Sequence, residues 1–389
     1  MRPASLLTLL PSLLSVGLAQ EGGGYPPCAL RCILQALPQT TCTATNQTCL
    51  CQDSTLSRLV EPCISAGCTI KEALVTANTT SKSCDSSEVD ESPRVKLASL
   101  SLLTIPPTIS VILRMIVKIR RWSAWGADDA TIVPAYVLML AFIPINIFFV
   151  RTGAGINLWT LSFDQIDGFF LIGYISQAIY YASLALIKTS ILFMLLRIFP
   201  GDGIRLTLWG TQAVNLIVCL VCVFTVLFQC QPLSLAWQFW AQDRPGYCLR
   251  QLDLALSHGV INVALDVWML ILPITQIWRL NMKLRQKLGV MSMFCMGVFL
   301  TFASAYRLYA LIVYTYNSKN ITVDSSPTTI WTEIEVCVGV FTACVPSMRQ
   351  FYERMIREIF GSKRELRTPP RSQGGKSFTG TDITTKVGL

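Results

Sequence analysis

Pro27-Cys28-Ala29-Leu30-Arg31-Cys32, followed by Cys42, Cys49-Leu50-Cys51, Cys63, Cys68 and Cys84, is the stretch that decides how this chain is read. Its eight cysteines lie in a segment too short to bury much core, so covalent cross-links must replace the missing hydrophobic burial. Disulfides persist in oxidising compartments, which places the stretch outside the cell. Everything after Cys84 is long and apolar. Fixing the cysteine module outside therefore fixes the direction in which the rest of the chain runs.

Composition says what that remainder is. Of 389 residues, 52% are hydrophobic and only 14% are charged, against roughly 25% charged in a soluble domain. So little polar surface suits a membrane. The formal charge of +9 is unevenly placed: the cysteine module is acidic, while Arg and Lys gather at the ends of apolar runs and in the tail. No basic stripe with interleaved aromatics appears, which excludes nucleic acid as a partner. His258 is the single histidine, so neither a His base nor a His-ligated metal is expected. A phosphate loop, a nucleophile elbow and a zinc motif are all missing, and no enzymatic activity is expected.

Working outward from the module, residues 1–19 read as a secretory signal. Arg2 is its positive end, Leu6 to Leu18 its apolar run and Gly17-Leu18-Ala19 its cleavage site. The module then occupies 20–84, and an acidic linker comes next over 85–94. From Leu97, seven apolar runs are expected to cross a membrane, at about 97–118, 130–150, 167–197, 206–228, 254–277, 288–314 and 328–348. Each is near the ~20 residues that span hydrocarbon. Pro106-Pro107 is expected to kink the first span. With the module outside, the inner segments hold Arg114, Lys118, Arg120, Arg121, Arg197, Arg205, Arg279, Lys283, Arg285 and Lys287. The outer loops hold few cations, Arg244, Arg250 and Lys319 among them. The positive-inside rule and the redox argument thus agree on a multi-pass membrane protein with its N-terminus outside and its C-terminus in the cytoplasm, and a plasma-membrane location is expected. Asn46, Asn78 and Asn320 begin glycosylation sequons on that outer side. The tail, 351–389, opens with apolar positions at helical spacing from Phe351 to Phe360, which suits a helix on the inner leaflet. Ser372, Ser377 and Thr379 are candidate phosphorylation sites in its Ser/Thr/Pro-rich end.

The cysteine spacing resembles the CFEM domain, an eight-cysteine module of fungal extracellular and membrane proteins, over its full length. That resemblance implies a small helical basket, which suits Cys28 and Cys32 at i, i+4. Eight cysteines allow about 105 connectivities. The set expected here is Cys28–Cys68, Cys32–Cys63, Cys42–Cys49 and Cys51–Cys84. Some members of the family bind haem through an aspartate shortly before the C-x-C, and the matching position here is Asn46. A neutral amide is a poor ligand for ferric iron, and a glycan on Asn46 would obstruct a flat cofactor. A recognition module without haem is therefore favoured over haem or iron capture.

Residues 95–350 resemble the fungal rhodopsin-like seven-helix domain of GPCR-like receptors. The matching residues are Gly126-Ala127-Asp128-Asp129, Lys188 through Arg197-Ile198-Phe199, Cys230, Cys248, Asp266, Pro273 and Arg307, then Trp331, Glu333, Glu335, Cys344 and Pro346. The chain as a whole is thus expected to be all-α, a small disulfide-stapled extracellular domain followed by a seven-transmembrane helix bundle. Intramembrane ionisable groups face a bundle interior or a water-filled cavity, which singles out Lys188, Asp266, Arg307, Glu333 and Glu335. Arg307 and Glu335 are expected to pair beside an outward cavity, and Lys188 to snorkel inward. Cys230 and Cys248 are expected to close an aromatic outer loop, and Cys219, Cys222, Cys295, Cys337 and Cys344 to pack. His258 is expected to hydrogen-bond between helices.

The resemblance implies a receptor sensing an external ligand or surface cue, with membrane lipid around it and a cytoplasmic signalling protein as partner. Neither an Asp-Arg-Tyr at the end of the third span nor an Asn-Pro-x-x-Tyr in the seventh is found, so G-protein coupling is left open. Retinal is excluded because 328–348 holds no lysine for a Schiff base. A transporter is disfavoured for want of an internal repeat. The alternative is a haem- or iron-binding surface protein anchored by its membrane domain.

Overall fold

The computed structural model describes residues 24–43, 46–84, 100–199, 201–277, 284–318 and 320–365. The expected signal peptide, the linker, Arg279, Lys283, Lys319 and the phosphorylation candidates lie outside them. Apart from one two-residue ladder, every regular element described is helical.

Four helices make the module: α1 (Pro27–Ala36), α2 (Gln47–Gln52), α3 (Ser54–Gly67) and α4 (Ile70–Ser83). Each start has a local cause. Pro27 sits in the first turn of α1, where a missing N–H costs nothing. Asn46 and Asp53 cap α2 and α3 through their side-chain oxygens. At α4, Thr69 and Glu72 form a reciprocal capping box. Disulfides join Cys28–Cys68, Cys32–Cys63, Cys42–Cys49 and Cys51–Cys84, the four expected pairs.

Seven further helices are long and apolar enough to cross a membrane. They are α5 (Ile105–Ile119, whose span begins at Leu102 in the preceding turn), α6 (Ala127–Arg151), α7 (Phe163–Ile198), α8 (Asp202–Leu227), α10 (Gln251–Ile277), α11 (Leu284–Asn317) and α13 (Ser326–Glu365). Between α8 and α10 lie β1 (Cys230–Gln231), the short helix α9 (Leu235–Gln238) and β2 (Tyr247–Cys248). The two strands pair antiparallel with Cys230 opposite Cys248, and a disulfide joins those cysteines. The short helix α12 (Ile321–Asp324) precedes α13. The core lies between α6, α7 and α13, where Ile132, Met139, Leu184, Ile187, Val336 and Val340 are fully or nearly fully buried. α8 stands at the rim, presenting Ile217, Val221 and Phe224 on the outside of the bundle.

Three expectations are corrected. Pro106 and Pro107 do not kink a span. They occupy the first turn of α5 after a 3-10 turn over Leu100–Thr104, where proline has no hydrogen bond to break. Residues 351–360 do not form a separate helix on the membrane surface. They continue α13 without a break, because no glycine intervenes and Trp122 offers a partner: the Phe351 ring lies 5.9 Å from it and the Arg354 guanidinium 5.4 Å. Arg114 and Lys118, counted as inner-face cations, are buried against Asp128 and Asp129.

The module rests on one end of the bundle. Helix α4 packs against the turns Leu158–Thr160 and Phe239–Ala241. Lys71 pairs with Asp243 and lies 5.6 Å from the Phe163 ring centre. This module end also carries the Cys230–Cys248 loop, whereas exposed Arg120, Arg121, Arg197 and Arg205 lie at the opposite end.

Candidate functional site

Polar side chains inside an apolar bundle are costly unless partnered, and the buried charged side chains of the described bundle gather into three groups. The first crosses the middle of the bundle. Lys188 on α7 pairs with Asp266 on α10 at 2.7 Å and donates to the Asn262 carbonyl at 3.0 Å. It does not snorkel, because Asp266 faces it from across the bundle. Ser304 on α11 sits between the Asp266 and Glu335 carboxylates. Glu335 on α13 is the hub. It accepts from Tyr180 at 2.6 Å and Asn262 at 2.7 Å, and lies 3.0 Å from the Arg307 guanidinium. Arg307 also stacks on the Tyr180 ring, 4.6 Å from its centre. A continuous line thus runs Lys188, Asp266, Ser304, Glu335, Arg307 across four helices.

The second group lines a cavity of about 210 Å³ between α6, α7, α10, α11 and α13. It lies at the module end, beside the ends of α6 and α7 that the loop 152–162 joins. The segment 320–325 is tied across that loop: the Gly155 N–H donates to the Thr322 carbonyl at 2.9 Å, and the Asn320 amide to Asn157 at 2.8 Å. Aromatic rings make much of the wall, Phe149, Phe169, Phe170 and Tyr181 among them. Two charged side chains reach it. Arg307 is 4% exposed and Glu333 2%. Asn146 donates to one oxygen of Glu333. The other oxygen and Arg307 Nη2 have no hydrogen-bond partner among the described residues, nor do the lining hydroxyls of Ser325 and Thr328. Arg307 therefore belongs to both groups. The pair expected with Glu335 forms, but only Arg307 borders the cavity; Glu335 lies behind it.

The third group holds the opposite end together. Arg114 on α5 reaches Asp128 and Asp129 on α6 and donates to the Ala343 carbonyl on α13 at 2.6 Å. Lys118 pairs with Asp129 at 2.7 Å, and Ser190 on α7 donates to the Asp128 carbonyl at 2.8 Å. Helix α6 begins here because the Gly126 N–H donates back to Asp129, which places both carboxylates at its positive end.

Elsewhere, His258 makes no hydrogen bond to another helix among the described residues. Its ring lies 3.9 Å from that of Tyr181, and its Nδ1 has no partner among the described residues. In the module, the Asn46 side-chain oxygen accepts from the Cys49 N–H at 3.1 Å, so the atom at the haem-ligand position caps α2. Glu72 lies near Cys28 and Cys68, but those sulfurs are joined and offer no thiolate to a metal. Asn320 accepts from the Leu158 N–H at 3.2 Å as well as donating to Asn157, so its sequon amide has structural partners. Asn146, Tyr180, Asn262 and Ser304 are not picked out by sequence; a polar side chain within an apolar run is their only signal. Arg114, Asp128 and Asp129 are visible there, but not as one cluster.

The fungal rhodopsin domain matches residues 113–354 and the CFEM domain residues 22–85. The chain belongs to the fungal rhodopsin domain family. It is a multi-pass membrane protein of that family carrying a CFEM module. Similar proteins include a SAT4 family membrane protein of Emericella nidulans, 30% identical over 58% of this chain and 56% of its own length. Fugralins biosynthesis cluster protein 2 of Gibberella zeae is 25% identical over 46% of each chain. Receptor GIN3 of Arthrobotrys oligospora is 22% identical over 48% of this chain and 45% of its own. The chain spans about half the length of these relatives. The fungal rhodopsin match includes every charged residue of the three polar groups, and the CFEM match includes all eight disulfide-bonded cysteines of the module.

Proposed function

We propose that this fungal rhodopsin-domain protein is a plasma-membrane receptor, with its CFEM module and cavity outside and α13 leading into the cytoplasm. One observation carries the reading: Arg307 borders the module-end cavity and, through Glu335, Ser304 and Asp266, joins a buried line to Lys188 on another helix. A ligand that draws on Arg307 bears on α7, α10, α11 and α13 together, and such shared pairs are what two alternative helix packings exchange. The name Receptor GIN3 on one relative supports the same class. Disulfides in the module and the exposed arginines at the opposite end support the orientation.

The test is basal cytoplasmic output. Cells carrying the full chain, Lys188→Ala or Arg307→Ala, matched for surface amount, are compared for cyclic AMP and MAP-kinase phosphorylation. A receptor changes its basal output when a cross-bundle pair is broken; identical outputs from all three overturn the reading. No catalytic role is proposed, and no retinal: the Lys188 ammonium is engaged by Asp266. Haem or iron capture by the module is the competing reading. The cap formed by Asn46 weighs against it. Saturable haem absorbance from the purified full chain, lost on reduction of its disulfides, would favour capture over reception.

A further inference from the structure

We propose that the module-end cavity binds a small organic amine, with its protonated nitrogen at Glu333, its apolar or aromatic body among the phenyl rings, and a neutral hydrogen-bond acceptor facing Arg307. This deepens the receptor reading and rests on it only for the signal that binding would send. The argument starts from charge. Of the ionisable groups in the bundle's middle, Lys188 is matched by Asp266 and Arg307 by Glu335. Glu333 is matched by nothing: its one partner is the neutral Asn146 amide, and no cation lies within ion-pair reach among the described residues. The side chain is 2% exposed, and its second oxygen has no partner. An uncompensated buried carboxylate is costly in such surroundings, and an ammonium delivered by a ligand removes the cost.

An anionic ligand fits worse. Arg307 is already neutralised by Glu335, so a carboxylate beside it would add a second negative charge to that of Glu333. A zwitterion leaves the excess unchanged. A monocation brings the site to neutrality, and Arg307 Nη2, with no partner of its own, then serves an uncharged oxygen. The walls agree with this choice. Phe149, Phe169, Phe170 and Tyr181 line the cavity, and aromatic faces attract ammonium groups when water is excluded. At about 210 Å³ the cavity falls below the roughly 300–1,000 Å³ of sites for drug-sized ligands. It suits a compact arylalkylamine.

The full chain in lipid nanodiscs is heated with phenethylamine, 2-amino-1-phenylethanol or tryptamine, and separately with the matched carboxylates 3-phenylpropanoate and indole-3-propanoate. At least one amine is expected to raise the unfolding midpoint saturably, and neither carboxylate to do so. Glu333→Gln keeps an oxygen for Asn146 but removes the charge, and should weaken the amine roughly tenfold or more. Gly173→Leu provides a second variant: Gly173 lines the cavity, and a Cβ there meets nothing within 4 Å. It should fill the space, leave the fold intact and abolish the shift. A shift from the carboxylates, no shift from any amine at millimolar concentration, or an amine shift that survives both substitutions overturns the proposal. Amine binding that moves no cytoplasmic output sustains the site and overturns the receptor reading. Altered output on breaking Lys188–Asp266 with no amine binding does the reverse.

Discussion

Glu335 gathers partners from three other helices, and it sets the effect that single substitutions should have. Tyr180, Asn262, Ser304 and Arg307 all address it. Removing one partner of a buried pair leaves an uncompensated charge, at a cost of about 3–5 kcal/mol. Arg307→Ala and Glu335→Ala should each destabilise the chain by about that much, measured by denaturant unfolding in detergent. The double change Arg307→Met with Glu335→Leu should recover much of the loss, since well-packed apolar pairs often match buried ion pairs. Losses that simply add would sink the assignment. In the module, Glu72 hydrogen-bonds the Thr69 N–H and hydroxyl, which holds its carboxyl below the ordinary carboxylate value. A depressed folded value means that the stabilisation is present above the ordinary carboxylate range and is lost as pH falls through the folded value. Protection of the amides at the start of α4, taken relative to unstructured chain at the same pH, should therefore fall on acidification, and Glu72→Gln should flatten that dependence; an unchanged slope would count against the capping box.

The seven spans are legible in the sequence as elements because apolar runs of bilayer length leave few alternatives. Their ends are less so. A proline pair reads as a kink until the position of the helix start is known, and Pro106-Pro107 is that start. Residues 351–360 look like a surface helix because amphipathic spacing says nothing about whether the preceding helix stops. The ionisable residues are found by their cost, but a one-dimensional pattern cannot say which pairs meet: Lys188 and Asp266 are far apart in the chain and touch only because α7 and α10 face one another. Close helix approach is equally hidden. At Gly339 on α13 an added Cβ would come within 3.0 Å of Ile187 on α7, so Gly339→Leu should cost about 1–3 kcal/mol by overpacking. Adding Ile187→Ala should return part of it. Thermal unfolding of the single and double variants checks this, and a harmless Gly339→Leu would contradict the packing described.

At the scale of the whole molecule, the module and bundle meet through a small, partly exposed contact. Lys71 and Asp243 are 38% and 47% exposed, and exposed pairs contribute at most about 1 kcal/mol. Lys71→Glu should leave both parts folded yet loosen their docking, seen as faster hydrogen exchange around Phe239–Ala241; unchanged exchange there would argue that other contacts hold the module. The stronger assembly lies within the bundle, where one buried line joins the cavity's rim to α7. A receptor role requires that line to have two arrangements. Its most direct test is double electron–electron resonance on the full chain, with spin labels on non-canonical residues at the exposed positions Leu206 and Tyr352, comparing the native chain with Arg307→Ala. A second distance population in the variant is the result predicted. A single distribution, unchanged by the substitution, would contradict the claim that this network governs how the helices pack.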